Sequence, residues 1–265
     1  MNTFQEQIEK LDPGLFGHVL SQSTERDKRS LLALQWAMRT EKPNFVYLEI
    51  GSYMGGSLQP YLVDPLCSRM ISIDSRPRSL PDVRGKLSYR QNTTENMLNQ
   101  LRRIPHANLA RIVTFDNGTE ILSPDLISCR PDFCFIDGEH TDSAVLRDAR
   151  FCQSVLSASG CIAFHDANIV YQGIGAFIDE LSKKSINFRA FHLLDSVLFI
   201  EFGECQLSEF PCVTELQRHN CQGYLWSLAT NDIYRQFYNK AVFRAYRSAR
   251  ARLARLLKGP WRKAP

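Results

Sequence analysis

An apolar segment, residues 45–50, runs directly into a glycine-rich turn, and this junction constrains the fold more than any other feature of the chain. Glu49 lies near the end of the segment, and glycines follow at positions 51, 55 and 56. Glycine adopts positive φ angles readily and lets the backbone approach a ligand closely. A strand followed by such a turn is typical of α/β proteins that bind nucleotide-like molecules at the carboxyl edge of a parallel sheet.

The spacing of the glycines distinguishes this turn from a dinucleotide-binding turn. A dinucleotide fold uses G-x-G-x-x-G and presents backbone N–H groups to a pyrophosphate. Here the pattern is E-x-G-x-x-x-G, and the charge of Glu49 would repel a pyrophosphate but suit a cationic ligand. A second predicted strand, 70–73, ends at Asp74, whose carboxylate can accept hydrogen bonds from both hydroxyls of a ribose.

Together these two motifs resemble the class I S-adenosylmethionine-dependent methyltransferases, whose cofactor carries a sulfonium and an ammonium group. The resemblance implies that S-adenosylmethionine is the cofactor and that the turn and the second strand bind it. The residues expected in this role are Glu49, Gly51, Ser52, Tyr53, Gly55, Gly56, Ser57 and Asp74.

The alternation of strands and helices predicts an α/β fold. Predicted strands lie at 45–50, 70–73, 111–115, 132–136 and 161–165, and two apolar runs, 188–193 and 197–202, predict a hairpin. The expectation is a Rossmann-like, doubly wound, mostly parallel seven-stranded sheet with a reversed last strand, as in the methyltransferases. We expect an N-terminal helical segment (1–40), the methyltransferase domain (41–203) and a C-terminal extension (204–265).

Further polar residues follow the fourth and fifth predicted strands. Asp137 and His140 come after the strand 132–136, and His165 and Asp166 end the next one. Because the carboxyl ends of parallel strands meet at one edge, we expect all four side chains near Glu49 and Asp74. The pattern F-I-D-G-x-H … G-x-I-x-x-H-D resembles the bacterial O-methyltransferases that modify sugars and secondary metabolites. It is also similar to the metal-dependent catechol and caffeoyl-CoA O-methyltransferases.

That resemblance implies a role for each of the four residues. Asp137 occupies the position of a metal ligand that also lies beside the cofactor, and His165 and Asp166 occupy the positions of two further ligands. His140 stands where those relatives have a basic lysine, and imidazole can accept a hydroxyl proton near neutral pH. Alternatively, His140 caps the following helix, His165 only supports its neighbours, and Asp137 orders water without a metal. Oxygen ligands favour Mg²⁺ and imidazole favours Mn²⁺, Zn²⁺ or Fe, so the metal stays open.

Adenine recognition is expected after the third predicted strand, where Asn117 and Thr119 can reach a purine edge. Asp148, within the helix predicted from Asp142 to about Leu156, is expected to be a surface or structural carboxylate.

Composition limits the class of protein and the compartment that can be expected. The N-terminus is polar, no apolar run is long enough to cross a bilayer, and the eight cysteines form no C-x-x-C pair. These features predict a cytoplasmic protein with reduced thiols. Net charge is +4, yet residues 240–265 hold nine basic side chains and no acidic one.

The segment 240–258 is predicted to be a basic amphipathic helix. Such a helix can lie on an anionic membrane surface, on a second copy of the chain or on the domain itself. Nucleic acid is the lesser option because stacking aromatics are sparse there. The function expected is S-adenosylmethionine-dependent methylation of a small-molecule hydroxyl. The alternatives are a non-catalytic cofactor-binding partner protein and an RNA methyltransferase that uses the tail.

Overall fold

The computed structural model describes residues 3–82 and 85–218, together with positions 225, 228, 240–242, 245, 246, 249 and 250. Among these residues the strands are β1 Phe45–Ile50, β2 Cys67–Ile73, β3 Ser79–Asp82, β4 Gly85–Ser88, β5 Ile112–Phe115, β6 Phe133–Ile136, β7 Cys161–Phe164, β8 Phe188–His192 and β9 Leu198–Phe202. The α-helices are α1 Phe4–Glu9, α2 Glu25–Glu41, α3 Gln59–Val63, α4 Thr94–Leu101, α5 Asp142–Val155, α6 Tyr171–Lys183 and α7 Pro211–Thr214.

Seven strands form one sheet in the order β5-β2-β1-β6-β7-β9-β8. The first five are parallel to one another, and β9 is antiparallel to both β7 and β8. This topology confirms the predicted doubly wound, mostly parallel sheet with one reversed strand. Because β1 lies between β2 and β6, and β7 follows β6, the carboxyl ends of these four strands share one edge.

The core lies on both faces of the sheet. Side chains that alternate along the strands pack on one side against α2 and on the other against α5 and α6. In β1, Tyr47 belongs to the first cluster, and Leu48 and Ile50 belong to the second. Alternating sides in this way is expected of a strand buried on both faces. Thr24 caps the helix α2 and forms a capping box with Asp27.

A small hairpin was not predicted. Strands β3 and β4 pair antiparallel outside the main sheet, and Asp82 at the end of β3 forms a parallel bridge with His140. The hairpin therefore reaches from the second strand of the main sheet to the loop that follows β6.

The first compact unit extends from residue 1 to residue 225, beyond the predicted limit at 203. Residues that follow β9 cause this difference, because Cys205, Leu207 and Val213 are buried in the same core as the sheet. The N-terminal segment is also part of this core through Ile8 and Leu11.

The second unit, residues 226–265, contains the predicted basic helix. Most of that helix lies outside the described residues. Its described positions 241, 242, 245, 246, 249 and 250 are helical and exposed. In the part of the chain that the structure describes, no helix has both the length and the apolar character that a membrane span requires.

Candidate active site

The turn after β1 has the backbone conformation that its glycines favour. Gly51 and Gly55 have φ angles of 92° and 83°, and Tyr53 has a φ of 42°. A Cβ atom on Gly51 would lie 2.2 Å from the carbonyl oxygen of Asp137. The close approach of these two strand ends therefore requires glycine at position 51.

Two adjoining cavities open at the carboxyl edge of the sheet. The larger has a volume of about 310 Å³, and the smaller has a volume of about 50 Å³. Gly51, Tyr53, Tyr89 and Asp137 line both cavities, so these residues mark where the two meet. A molecule in the larger cavity can thus present one end to a molecule in the smaller.

The structure distributes the predicted cofactor residues between the two cavities. Those that line the larger are Gly51, Tyr53, Asp74, Thr119 and Asp137. Those that line the smaller are Gly51, Ser52, Tyr53, Gly56, Ser57 and Asp137. Within the described part of the chain, Glu49, Gly55 and Asn117 belong to neither lining: Glu49 is buried, Gly55 packs against Leu101, and Asn117 is exposed.

Glu49 lies below the edge of the sheet. Its carboxylate is fully buried and accepts hydrogen bonds from the Tyr47 hydroxyl at 2.6 Å and the Ser57 hydroxyl at 2.5 Å. Burial raises the pKa of Glu49 to about 7. The sequence suggested that Glu49 faces a ligand at the carboxyl edge of the sheet. The structure corrects this expectation, because hydrogen bonds from Tyr47 on β1 and Ser57 in the turn direct the side chain inward.

The raised pKa of Glu49 predicts a pH-dependent stability. Between the ordinary value of 4.5 and about 7, the folded protein keeps a proton that the unfolded chain has released. The free energy of unfolding therefore falls as pH rises through this range. Replacing Glu49 by Gln removes this contribution, so the melting temperature of wild type should fall relative to that of Glu49→Gln between pH 5 and pH 8. Calorimetric melting at several pH values measures this difference, and parallel profiles for the two proteins would contradict the assignment.

Asp74 lines the larger cavity at the end of β2, where the sequence places a ribose-binding carboxylate. The backbone N–H of Tyr53 donates to its Oδ2 at 2.8 Å, and that of Arg76 donates to its Oδ1 at 2.7 Å. Nη1 of Arg76 also donates to Oδ2 at 3.5 Å, so these bonds fix the carboxylate in one orientation and leave a lone pair of Oδ1 for a ligand hydroxyl.

Thr119, which lines the larger cavity, contacts Asp148, a residue expected to be a surface or structural carboxylate. The Thr119 hydroxyl donates to Oδ1 of Asp148, and Nε of Arg147 donates to the same oxygen at 3.2 Å. Asp148 is 2 % exposed and lines the cavity, so it is neither a surface residue nor remote from the site. Burial raises the pKa of this carboxyl group, and the bonds from Thr119 and Arg147 oppose that effect.

Two histidines and two aspartates converge beside the junction of the cavities. Ligand atoms of Asp137, His140 and His165 all lie within 4.8 Å of one another, and Asp166 Oδ2 lies 3.5 Å from His140 Nε2. Burial would raise the pKa of Asp137, but the nearby positive charges of His165 and His140 lower it well below its usual range. The cluster predicted from two strand ends is therefore assembled in the structure.

The hairpin supplies a partner for His140 that the sequence did not reveal. Nδ1 of His140 donates to Oδ2 of Asp82 at 2.8 Å, and the Asp82 side chain is fully buried. This contact directs Nε2 toward Asp137 and Asp166, each 3.5 Å away. A carboxylate that fixes one ring nitrogen leaves the other for proton transfer.

His165 lies between Asp137 and the N-terminal helix α2. Its Nδ1 is 2.9 Å from Asp137 Oδ1, and its Nε2 is 3.4 Å from Asp27 Oδ2. Neither contact has hydrogen-bond geometry, and among the described residues both buried nitrogens lack a hydrogen-bond partner. Burial lowers the pKa of His165, but the charge of Asp137 outweighs it and raises the pKa well above the ordinary value.

Comparison with known proteins agrees with this architecture. Residues 48–167 match the model of a family described as a methyltransferase domain. The structure is similar to that of the O-methyltransferase NovP, with a TM-score of 0.57 and 12% identity over 76% of this chain and 100% of that one. It is also similar to the O-methyltransferase TomG from Streptomyces achromogenes, with a TM-score of 0.50 and 14% identity over 74% of this chain and 89% of that one. No curated protein sequence matches the chain.

The strand order, the reversed β9 and the cavity at the carboxyl edge define an α/β domain of the methyltransferase class. The matched family covers the glycine-rich turn, Asp74, Asp137 and the His165-Asp166 pair. Residues 48–167 thus match a methyltransferase domain, and the fold that contains them is the methyltransferase fold.

Proposed function

We propose that this protein transfers the methyl group of S-adenosylmethionine to a hydroxyl oxygen of a small molecule, such as a sugar or a secondary metabolite. One observation carries the proposal: His140 lines the smaller cavity beside Asp137, where that cavity meets the larger one. A base is thus positioned where a donor and an acceptor would meet. NovP and TomG, which share the fold, are O-methyltransferases, and TomG is involved in tomaymycin synthesis and was crystallised with the cofactor.

In the proposed reaction the acceptor oxygen attacks the methyl carbon in line with the breaking carbon–sulfur bond. The sulfur keeps the bonding electrons and becomes the neutral thioether of S-adenosylhomocysteine. The hydroxyl proton passes to Nε2 of His140, which Asp82 orients through Nδ1. The two cavities supply proximity, and His140 supplies general base catalysis.

The charge on His140 is set by its surroundings. Burial lowers the pKa of this imidazole, but the hydrogen bond and charge of Asp137 outweigh burial and raise it. The positive sulfonium of a bound cofactor would offset the negative charge of Asp137. Cofactor binding therefore favours the neutral imidazole that a general base requires.

A divalent cation, Mg²⁺ or Mn²⁺, is part of the proposal. The unpartnered nitrogens of His165 and the ionised Asp137 fit such an ion, with Asp166 as a third ligand. His140 stays outside this set, because its Nε2 is the proposed base, and the mixed nitrogen and oxygen set of His165, Asp137 and Asp166 suits Mn²⁺ better than Mg²⁺. When bound, the ion would hold the acceptor oxygen and lower its pKa.

Metal binding can be tested without turnover. Titration calorimetry with Mn²⁺ should show one site in wild type, and Asp166→Asn should weaken it at least about tenfold. The exposed Asp179 provides a matched control, since Asp179→Asn removes an equal charge from the surface of α6. Equal Mn²⁺ affinities in wild type and both variants would show that Asp166 is not a metal ligand.

The methyl acceptor can be sought with labelled cofactor. The protein is incubated with methyl-labelled S-adenosylmethionine and a panel of free sugars, glycosides and catechols, with amino sugars and bulk RNA as controls. We expect label in an ether of one hydroxyl class. Label in RNA would favour the RNA methyltransferase, and transfer that depends on a second protein would favour the partner protein. Contacts of the basic tail with a membrane or a second copy remain a prediction.

A further inference from the structure

A buried aspartate in the first turn of α2 lies against the proposed metal site. Asp27 is 1 % exposed, and its Oδ2 lies 3.4 Å from Nε2 of His165. Among the residues that the structure describes, His165 is its ion-pair partner. A buried carboxylate is costly unless it is paired and hydrogen-bonded. Asp27 also lies outside residues 48–167, the segment that matches the methyltransferase model.

The carboxylate of Asp27 is held in place independently of His165. Its Oδ1 accepts from the backbone N–H and the hydroxyl of Ser196, both at 3.0 Å, and its Oδ2 accepts from the backbone N–H of Thr24 at 3.3 Å. Such bonds favour the ionised carboxylate. The carbonyl oxygen of Ser196 accepts in turn from the backbone N–H of Ala167 at 2.9 Å. The loop between β8 and β9 therefore holds both Asp27 and the chain that follows His165.

The imidazole of His165 lies between two carboxylates. Nδ1 faces Oδ1 of Asp137 at 2.9 Å, and Nε2 faces Asp27. A neutral imidazole carries its proton on one nitrogen and a lone pair on the other, and only the nitrogen with the lone pair can bind a metal. Because Asp137 is itself a proposed ligand, Nδ1 is the nitrogen on the side of the cation, and Nε2 is the nitrogen on the side of α2.

We infer that Asp27 is a positioning residue of the metal site. Its negative charge keeps the proton of His165 on Nε2 and thereby leaves the lone pair of Nδ1 for the divalent cation. The inference rests on the metal binding that belongs to the proposed function. Histidines that bind metals commonly direct their other N–H to a carboxylate, and the loss of that carboxylate weakens metal binding by roughly 10- to 100-fold.

Titration calorimetry with Mn²⁺ tests the role of Asp27 without turnover. In Asp27→Asn the amide oxygen should take the place of Oδ1, because Ser196 donates two bonds there and these are the shorter ones. The amide NH₂ group then takes the place of Oδ2 and donates to Nε2, so the proton of His165 moves to Nδ1 and blocks the cation. We expect the affinity for Mn²⁺ to fall roughly 10- to 100-fold.

Asp195→Asn is the matched control. Asp195 is exposed, and its Oδ2 accepts from the hydroxyl of Thr24 at 2.7 Å. Its φ of 57° is a conformation that asparagine tolerates. This variant removes an equal charge beside Thr24 and leaves Asp27 in place, so its affinity for Mn²⁺ should stay close to that of wild type.

A second measurement needs no substitution of Asp27. Zn²⁺ is diamagnetic, so proton–nitrogen correlation spectra of the histidine rings can be recorded with this ion bound. These spectra distinguish a nitrogen that binds the metal from one that carries a proton. In wild type we expect His165 to bind Zn²⁺ through Nδ1 and to keep its proton on Nε2. An aspartate with a merely structural role would not move the proton when it is replaced.

The outcomes separate this inference from the proposed function. Binding of Zn²⁺ through Nε2, or a folded Asp27→Asn with the Mn²⁺ affinity of wild type, would overturn the inference and leave the metal site standing. Equal losses in Asp27→Asn and Asp195→Asn would overturn it as well, because lost charge alone would explain them. A wild type that binds neither ion would overturn the metal site together with the inference, whereas methyl transfer is judged separately by the labelled cofactor.

Discussion

Replacing His140 by alanine is expected to lower the rate of methyl transfer by roughly 10²- to 10⁴-fold, the range typical of a lost general base. Binding of S-adenosylhomocysteine should change little, because His140 lines the smaller cavity and is absent from the larger one. The rate is measured as formation of S-adenosylhomocysteine with the acceptor that the labelling panel identifies. Affinity is measured by calorimetry on the same samples.

His106 offers a matched control for this substitution. It is exposed and has a φ of 64°, a conformation that asparagine tolerates better than alanine, so His106→Asn is the suitable replacement. This variant should keep the wild-type rate. Normal turnover in His140→Ala would remove His140 as the base; the expected alternative, a helix cap, is already wrong, because Thr141 caps α5 through its hydroxyl.

Replacing Gly51 by alanine is expected to abolish cofactor binding and to destabilise the fold by roughly 2–5 kcal/mol. The added Cβ would lie 2.2 Å from the Asp137 carbonyl oxygen and 2.5 Å from the carbonyl carbon. Both are backbone atoms of a buried strand end, so relief requires β1 and β6 to separate. Calorimetric melting and titration with S-adenosylhomocysteine measure the two effects.

Gly175 provides the control for a glycine-to-alanine change. It lies in α6, and among the described residues no atom outside its own stretch of helix comes within 4 Å of the position its Cβ would take. Gly175→Ala should therefore stabilise the protein by up to about 1 kcal/mol, since alanine favours a helix over glycine. A Gly51→Ala protein that melts and binds like wild type would show that the close approach at this turn is not required.

The central sheet could be predicted because its signals are local. Each parallel strand is a short apolar run bounded by polar or glycine residues, and the run containing Phe199 and Ile200 is separated from its neighbour by a tight turn. The convergence of Asp137, His140, His165 and Asp166 followed from the same reasoning, because carboxyl ends of parallel strands share an edge.

The remaining features depend on tertiary contacts that no local pattern reports. Strand β3 contains Pro81 and only four residues, so neither its pairing nor the contact between Asp82 and His140 can be deduced from the chain alone. Glu49 lies one residue before the end of β1, but its inward direction is set by hydrogen bonds from Tyr47 and from Ser57 in the next turn.

The burial of Asp148 could be predicted from the sequence, but its hydrogen-bond partner could not. Its spacing from Val145 and Ala149 places it on the core face of α5, and this signal was available in the sequence. The expectation of a surface or structural carboxylate gave more weight to its charge than to its position. The partner that stabilises it, Thr119, comes from a loop after a different strand.

The smaller cavity takes one wall from residues 20–23, which precede α2 and lie outside the sheet. The backbone of this segment passes so close to Gly56 that a Cβ atom there would lie 2.6 Å from the Leu20 carbonyl oxygen. Under the proposed function, residues 20–23 therefore contribute to acceptor choice and take no part in the larger cavity. Exchanging residues 20–23 between relatives would then change which hydroxyl compound is methylated and leave the cofactor site unchanged.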